Sequence, residues 1–264
     1  MKIIISGKGG SGKSTISTLI ARSLAAHGFN VLLVDADESN FGLQRLLGVD
    51  APVHLMDDFG GKAHFKKNWM GTASEGLFKD HTRISDLPQT CIAQSGDVKL
   101  LIIGKVHSHG EGCACPMGVL SKSILAKLDV MENEVVVVDA EAGVEHFGRR
   151  VDGECDLVLG VVDPSFESFM LAKKMESMAY AAGCEIFFIL NKATPDVLTD
   201  MKSHIPADKI IAVIPHNNAV FMDSLKGNRL EKDLPEIDPV CKLIKDRKNR
   251  PANRANLFSV KPGK

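Results

Sequence analysis

Apolar residues gather in seven short, β-branched runs, at positions 3–6, 31–35, 98–104, 135–139, 157–162, 186–191 and 210–215. The runs are continuous rather than alternating, so each strand is predicted to be buried on both faces, as in a parallel sheet covered by helices. Between the runs, apolar positions recur at helical spacing. They predict helices over 13–27, closed by Gly28, and over 117–128, 166–182, 195–203 and 239–247. Strand and helix alternate almost throughout, which predicts an α/β fold: a doubly wound, mainly parallel seven-stranded sheet flanked by helices, with ligands at the carboxyl ends of its strands.

One stretch breaks the rhythm. Residues 48–97 are rich in Gly, His, Lys and Asp and show little periodicity. An insertion of that length in an α/β domain is more often functional than idle. At 264 residues, the chain is expected to form a single domain over 1–264. Its 44% hydrophobic and 25% charged residues fit a packed globular core and exclude collagen, coiled-coil and disulfide scaffolds.

Lys and Arg total 32 against 33 Asp and Glu, so no global field attracts DNA or an anionic membrane. The balance hides an asymmetry. Residues 242–264 hold eight basic residues and one acid, a net +7, which leaves about −8 on the rest. The last part of this segment, about 248–264, contains Pro251 and Pro262 and is expected to be a loosely held basic tail. The chain opens on Lys2-Ile3-Ile4-Ile5 without a charged-then-apolar leader and has no run near the ~20 apolar residues of a membrane span. A cytoplasmic protein without stable membrane attachment is expected.

The first predicted strand runs into Gly7-Lys8-Gly9-Gly10-Ser11-Gly12-Lys13-Ser14-Thr15, which fits G-x-x-x-x-G-K-[ST] and precedes a helix. Glycines let main-chain N–H groups curl around phosphate oxygens. Lys13 neutralises the β- and γ-phosphates, and the Ser14 hydroxyl ligates Mg²⁺ at the positive end of the helix. A nucleoside triphosphate site is the expectation. Lys8 is not demanded by that pattern, and on the pattern alone it reads as a solvated lysine.

With Lys8 included, the loop resembles the deviant Walker A motif of the MinD, ParA and nitrogenase iron protein superfamily. The resemblance covers most of residues 1–230 and leaves 48–97 and the basic tail largely outside it. It implies a MinD-like P-loop ATPase that uses ATP and Mg²⁺ and closes as a nucleotide-sandwich homodimer, with Lys8 reaching the phosphates of the opposite subunit. It further implies that Asp37, in Asp35-Ala36-Asp37, orients the attacking water. It makes 135–139 a Walker B strand whose Asp139 holds Mg²⁺ through water, and it brings Asn191 and Pro215 to the adenine.

Six cysteines are too few for a disulfide framework. Cys91, Cys155, Cys184 and Cys241 stand alone and read as buried small hydrophobes. Cys113 and Cys115, one residue apart, reach one soft metal ion but supply two thiolates where Zn²⁺ takes four; a dimer doubles the set. They precede the predicted helix from Met117, whose N-terminal end lowers a thiol pKa. His107 and His109 offer imidazoles or stand as ordinary loop histidines.

Residues 104–117 and 139–149 resemble the metal-binding and second-switch segments of the CooC family of nickel-insertion ATPases, with Cys113-Ala114-Cys115-Pro116 and Glu141-Ala142-Gly143-Val144-Glu145-His146-Phe147-Gly148-Arg149 as the specific matches. That resemblance implies a metallochaperone for Ni²⁺, or Zn²⁺, with carbon monoxide dehydrogenase or a related client such as acetyl-CoA synthase as partner. Two alternatives stay open: a MinD- or ParA-like positioning ATPase, and an iron–sulfur carrier or reductase of the same superfamily. Thiolates accept nickel, zinc and clusters alike. Nucleic acid is not the expected partner, although the basic tail leaves weak binding open.

Overall fold

All seven apolar runs become strands of one sheet in a computed structural model that describes residues 1–69, 76–105, 115–143 and 155–248, apart from the side chain of Cys115. β1 (Lys2–Gly7) leads into α1 (Lys13–Ala26), and Gly28, at φ 86, turns the chain into β2 (Asn30–Asp35). α2 (Leu43–Leu47), α3 (Leu55–Asp58), α4 (Gly61–Trp69), β3 (Thr82–Arg83) and β4 (Ile92–Ser95) come next, followed by β5 (Val98–Ile102). α5 (Cys115–Lys127), β6 (Leu128–Asp129) and β7 (Glu134–Asp139) form the next unit. The remaining elements are β8 (Leu157–Val162), α6 (Phe166–Ala182), β9 (Glu185–Ala193), α7 (Leu198–Ser203), β10 (Ile210–Pro215), α8 (Asn218–Lys226) and α9 (Asp238–Lys248).

The main sheet has the order β10-β9-β8-β1-β7-β2-β5-β4, and every pair is parallel except β4 with β5. It therefore has eight strands where seven were predicted. The eighth is the edge strand β4, which folds back on β5 through a turn at Gly96 (φ 58). Its four residues are mostly half-exposed, so the continuous apolar run that marks an inner strand is missing. Successive residues of the inner strands feed opposite cores: Ile4, Leu32 and Val34 pack on one face, and Ile3, Ile5 and Leu33 on the other.

Helix boundaries follow local chemistry. α6 spans the predicted 166–182 because the Ser165 hydroxyl accepts from the Ser168 N–H and Gly183, at φ 70, closes the other end. α7 starts three residues later than predicted, because Val197 and Leu198 both donate to the Thr194 carbonyl in a turn. α5 starts two residues earlier than predicted, at Cys115.

Residues 48–69 and 76–97, in a stretch left without predicted elements, are built around Phe65, which is fully buried. The Phe59 ring meets Phe65, Trp69 and Phe78 edge-on at centroid distances of 6.1, 6.4 and 5.6 Å. β3 pairs with β6, which joins this segment to the end of α5. Of the four cysteines expected to be buried, Cys91 and Cys241 are, whereas Cys155 and Cys184 are half-exposed at the start of β8 and β9. Among the described residues, no helix is long and apolar enough to cross a membrane.

Candidate functional site

Parallel register places three strand ends side by side. Ile5 of β1 and Asp35 of β2 both pair with Asp139 of β7, so the loop leaving β1 lies over two buried carboxylates. Within that loop, glycine is required by close approach. A Cβ on Gly7 would sit 2.4 Å from the Val161 carbonyl oxygen, and one on Gly12, at φ 100, would sit 2.4 Å from Asn191 Nδ2. The Ser11 N–H donates to the Lys8 carbonyl at 3.1 Å, and Lys13 Nζ approaches the same oxygen at 3.4 Å. The loop is thereby curled with its lysine folded inward. Ser11 Oγ is buried and has no hydrogen-bond partner among the described residues.

Beneath the loop, the Ser14 hydroxyl donates to Asp139 Oδ2 at 2.6 Å, and the Asn40 amide donates to Ser14 Oγ. Ser17 Oγ lies 3.1 Å from Asp139 Oδ1 and 2.9 Å from the Lys13 carbonyl. Burial pushes the Asp139 carboxyl up, against the opposing pull of the Ser14 hydroxyl, the Lys13 ammonium and Ser17. A sunken carboxylate with hydroxyls as its direct partners, open to a phosphate loop, is a donor set suited to a hard divalent cation. Ser14 and Asp139 are the residues that fit Mg²⁺.

Asp35 is also fully buried, and burial raises its carboxyl to about 7 against the pull of the Lys105 ammonium 2.7 Å away. Asp37 hangs from this pair. Its N–H donates to Asp35 Oδ1 at 3.2 Å, while its own Oδ1 accepts from the Ser39 N–H and hydroxyl at 3.0 and 2.6 Å. The side chain reaches the wall of an open cleft of about 650 Å³.

That cleft runs from the loop to the start of α8, and Gly9, Gly10, Thr15, Asn191, Pro215 and Phe221 are among its walls. Asn191 donates to the Ser11 carbonyl at 2.8 Å, which ties the end of β9 to the phosphate loop. Lys192 adopts φ 57, rare for a residue with a side chain, and its Nζ donates to the Gly10 carbonyl at 2.6 Å. Lys8 points the other way, with its Nζ 3.6 Å from Asp163 Oδ2. The Ser165 and Ser168 hydroxyls hold Asp163 Oδ1, and its carboxyl stays below the usual range although burial opposes this.

The sequence-predicted residues Gly9 to Thr15, Asp37, Asp139, Asn191 and Pro215 therefore converge on one cleft and its floor. Lys8 faces Asp163 instead. Cys113, His107 and His109 lie outside the described residues, as do the side chain of Cys115, most of the second-switch segment beyond Gly143, and the tail from 249. Among the described residues, no group of three or more His, Cys, Asp or Glu is placed to hold a metal ion. Asn40, Lys105, Asp163 and Lys192 were not singled out by sequence reasoning, although Lys105 lies at the start of the segment 104–117. The one signal was position, since Asp163 follows a strand end and Lys192 follows Asn191.

Known proteins share this fold. The solved structure of the cell division ATPase MinD of Pyrococcus furiosus superposes with a TM-score of 0.62 at 20% identity, covering 93% of this chain and 99% of that one. MinD of Pyrococcus horikoshii in complex with Mg-ADP superposes at 0.61 and 22% identity over 94% and 95% of the two chains. At those identities the likeness establishes the fold, a MinD-like P-loop NTPase. In sequence, an uncharacterized ATP-binding protein of Methanocaldococcus jannaschii is 42% identical over 92% of this chain and 99% of its own length. The carbon monoxide dehydrogenase accessory protein CooC of Rhodospirillum rubrum is 33% identical over 92% of each. The model of the CobQ/CobB/MinD/ParA nucleotide binding domain matches residues 2–230, so the chain belongs to that family, as an ATPase of the MinD/ParA superfamily.

Proposed function

We propose that this ATPase is a metallochaperone: ATP-dependent homodimerisation gates a metal site shared by Cys113 and Cys115 of two chains, which carries Ni²⁺, or Zn²⁺, to carbon monoxide dehydrogenase or a related client. The observation that carries this reading is the connection of α5. The helix begins at Cys115, and the chain then passes through β6 into β7, which ends on Asp139 beside Ser14. One helix and two strands thus join the thiol segment to the nucleotide site. The 33% identity to a protein named as a carbon monoxide dehydrogenase accessory protein points to the same client.

Each part of the site has a role under this reading. Main-chain N–H groups of Gly9 to Thr15 and the Lys13 ammonium hold the ATP phosphates, while Asn191 and Pro215 flank the adenine. Ser14 and Asp139 hold Mg²⁺, which when bound neutralises phosphate charge. Asp37 orients the attacking water. Lys8 is held by Asp163 in the single chain and is released to the opposite subunit's phosphates on closure, as in a deviant Walker A loop. Closure assembles four thiolates and opening leaves two, too few for stable tetrahedral binding.

Equilibrium dialysis against radioactive nickel tests the proposal. One ion per two chains is expected, with binding lost in Cys113→Ser and in Cys115→Ser, and weaker retention with ADP than with ATP. One ion per chain, or binding that survives Cys113→Ser, refutes the shared site. A visible charge-transfer spectrum with bound iron in anaerobically purified protein favours the iron–sulfur alternative.

A further inference from the structure

Lys105 is a cation almost sealed from water, with 4% of the residue exposed. A buried ammonium is tolerated only where its protons find acceptors. Two acceptors are in place. Lys105 Nζ lies 2.7 Å from Asp35 Oδ2 and 2.5 Å from the main-chain carbonyl oxygen of Asp37, with the Phe41 ring centroid 5.9 Å away. Charge neutralisation alone explains the first contact. The second is made to an uncharged main-chain atom of the residue assigned to the attacking water.

Asp37 is held at both main-chain polar groups by this one ion pair. Its N–H donates to Asp35 Oδ1, and its carbonyl accepts from Lys105. Lys105 itself has little room to shift. A Cβ on the preceding residue, Gly104, would lie 2.9 Å from Met117 Sδ and 2.9 Å from Met56 Cβ, so this stretch of chain is wedged between the first turns of α5 and α3. The Ile103 N–H donates to the Asp35 carbonyl and its own carbonyl accepts from the Met56 N–H, which fixes the chain from the other side.

We infer that Lys105 is a positioning residue for hydrolysis: it fixes the main chain of Asp37, and so couples the packing at the start of α5 and α3 to the aim of the water-orienting carboxylate. This rests on the assignment of Asp37 made above. It makes no use of the metal, and it predicts that ATP binding and ATP hydrolysis respond differently when Lys105 is changed.

The test compares Asp37→Ala, the double variant Asp35→Asn/Lys105→Met, and the triple variant combining all three changes, each checked for folding by circular dichroism. The double variant removes both buried charges together, and the amide introduced at position 35 still offers an oxygen to the Asp37 N–H. Expected is an ATP affinity within about threefold of the parent and a kcat about 30-fold lower, the scale at which sub-ångström misplacement of a catalytic group acts. The triple variant should be no slower than Asp37→Ala, because two changes acting through one group do not multiply.

Lys105→Arg keeps the buried charge and provides an arm that does not depend on the double variant folding. It should lower kcat by about tenfold at unchanged KM, since a guanidinium cannot set its protons where the ammonium does. A parental kcat in the double variant or in Lys105→Arg overturns the inference, as does a triple variant whose losses multiply. If Asp37→Ala itself hydrolyses ATP at the parental rate, the assignment of Asp37 has failed instead. A slow Asp37→Ala beside a parental Lys105→Arg confines the failure to Lys105.

Discussion

Replacing Asp139 by Asn should stabilise the nucleotide-free protein while destroying the gain in stability that Mg-ATP provides. Asp139 is fully buried, its negative charge is opposed at a distance by Lys13, and its direct partners are two hydroxyls. One of those is only half available. Ser17 has a single O–H to divide between Asp139 Oδ1 at 3.1 Å and the Lys13 carbonyl at 2.9 Å. An amide of the same shape resolves this conflict: its oxygen accepts from Ser14, its NH₂ donates to Ser17 Oγ, and Ser17 donates to Lys13. A desolvated charge is removed in exchange for one amide N–H without a named partner, a net change of about 2 kcal/mol in favour of the fold at pH 7. For a chain of this size that is a rise of about 4–8 °C in Tm.

The sign with pH follows from the raised carboxyl. The native state holds the Asp139 proton more tightly than the unfolded chain, so the parent loses stability as pH rises above about 4 until the native pKa is passed, and the variant lacks that component. Mg-ATP at 100 times its Kd adds about 2.7 kcal/mol to the parent and should add almost nothing to the variant, so the order of stabilities reverses. Urea unfolding of both proteins between pH 5 and 8, with and without Mg-ATP, measures each quantity. An Asn variant less stable than the parent at pH 7 without nucleotide, or one equally stabilised by Mg-ATP, refutes the reasoning.

The same geometry fixes the outcome of other changes. Lys13→Ala should lose nucleotide binding in a fluorescence titration. Asp37→Ala should keep ATP and accumulate dimer, and Lys8→Ala should bind but stay monomeric in sedimentation, so a parental dimer in Lys8→Ala ends the case for a trans-acting lysine. Gly12→Ala forces a side chain onto φ 100 and a Cβ to 2.4 Å from Asn191 Nδ2, at a cost of about 1–3 kcal/mol in urea unfolding; Asn191→Ala should recover the steric part but not the backbone part. Asp35, raised to about 7, binds its proton more tightly in the native state, so stability should fall by up to about 1.4 kcal/mol per pH unit from pH 4 to 7 and level off above; Asp35→Asn should abolish that slope.

Much of the fold was legible because its signals are local. Continuous apolar runs mark strands buried on both faces, and all seven became strands of the sheet, six of them inside it and β10 at its edge. The edge strand β4 and the helices α3 and α4 escaped because they are short and half-exposed, and their burial depends on Phe65 and Phe59, not on a repeating pattern. α8 was also missed, although its ends carried readable signs: Asn217 Oδ1 caps the N–H groups of Ala219 and Val220, and Gly227 closes the helix at φ 66. Nine residues with no buried face gave the periodicity nothing to display.

The site divides along the same line. Gly7 to Thr15 could be read directly, because the spacing of a phosphate loop is itself the chemistry. Lys105 and Lys192 could not, since their partners lie 70 and 182 positions away and only the folded sheet brings them together. Asp35 and Asp139 belong to both groups: each was visible as a carboxylate at a strand end, yet their adjacency follows from the register of β2 with β7. Burial raises both carboxyls, with Asp139 among the smaller causes at Asp35 and Asp37 among those at Asp139. Lys105 answers one of the two charges from inside the chain, whereas Asp139 has hydroxyls at hydrogen-bond distance and Lys13 farther off. The protein thus carries at Asp139 a charge that its own side chains leave incompletely balanced, on the floor of a phosphate loop. The destabilisation predicted for the empty site and the affinity for a divalent cation are two measurements of that one imbalance, which is why a single Asp139→Asn change must move both together and in opposite directions.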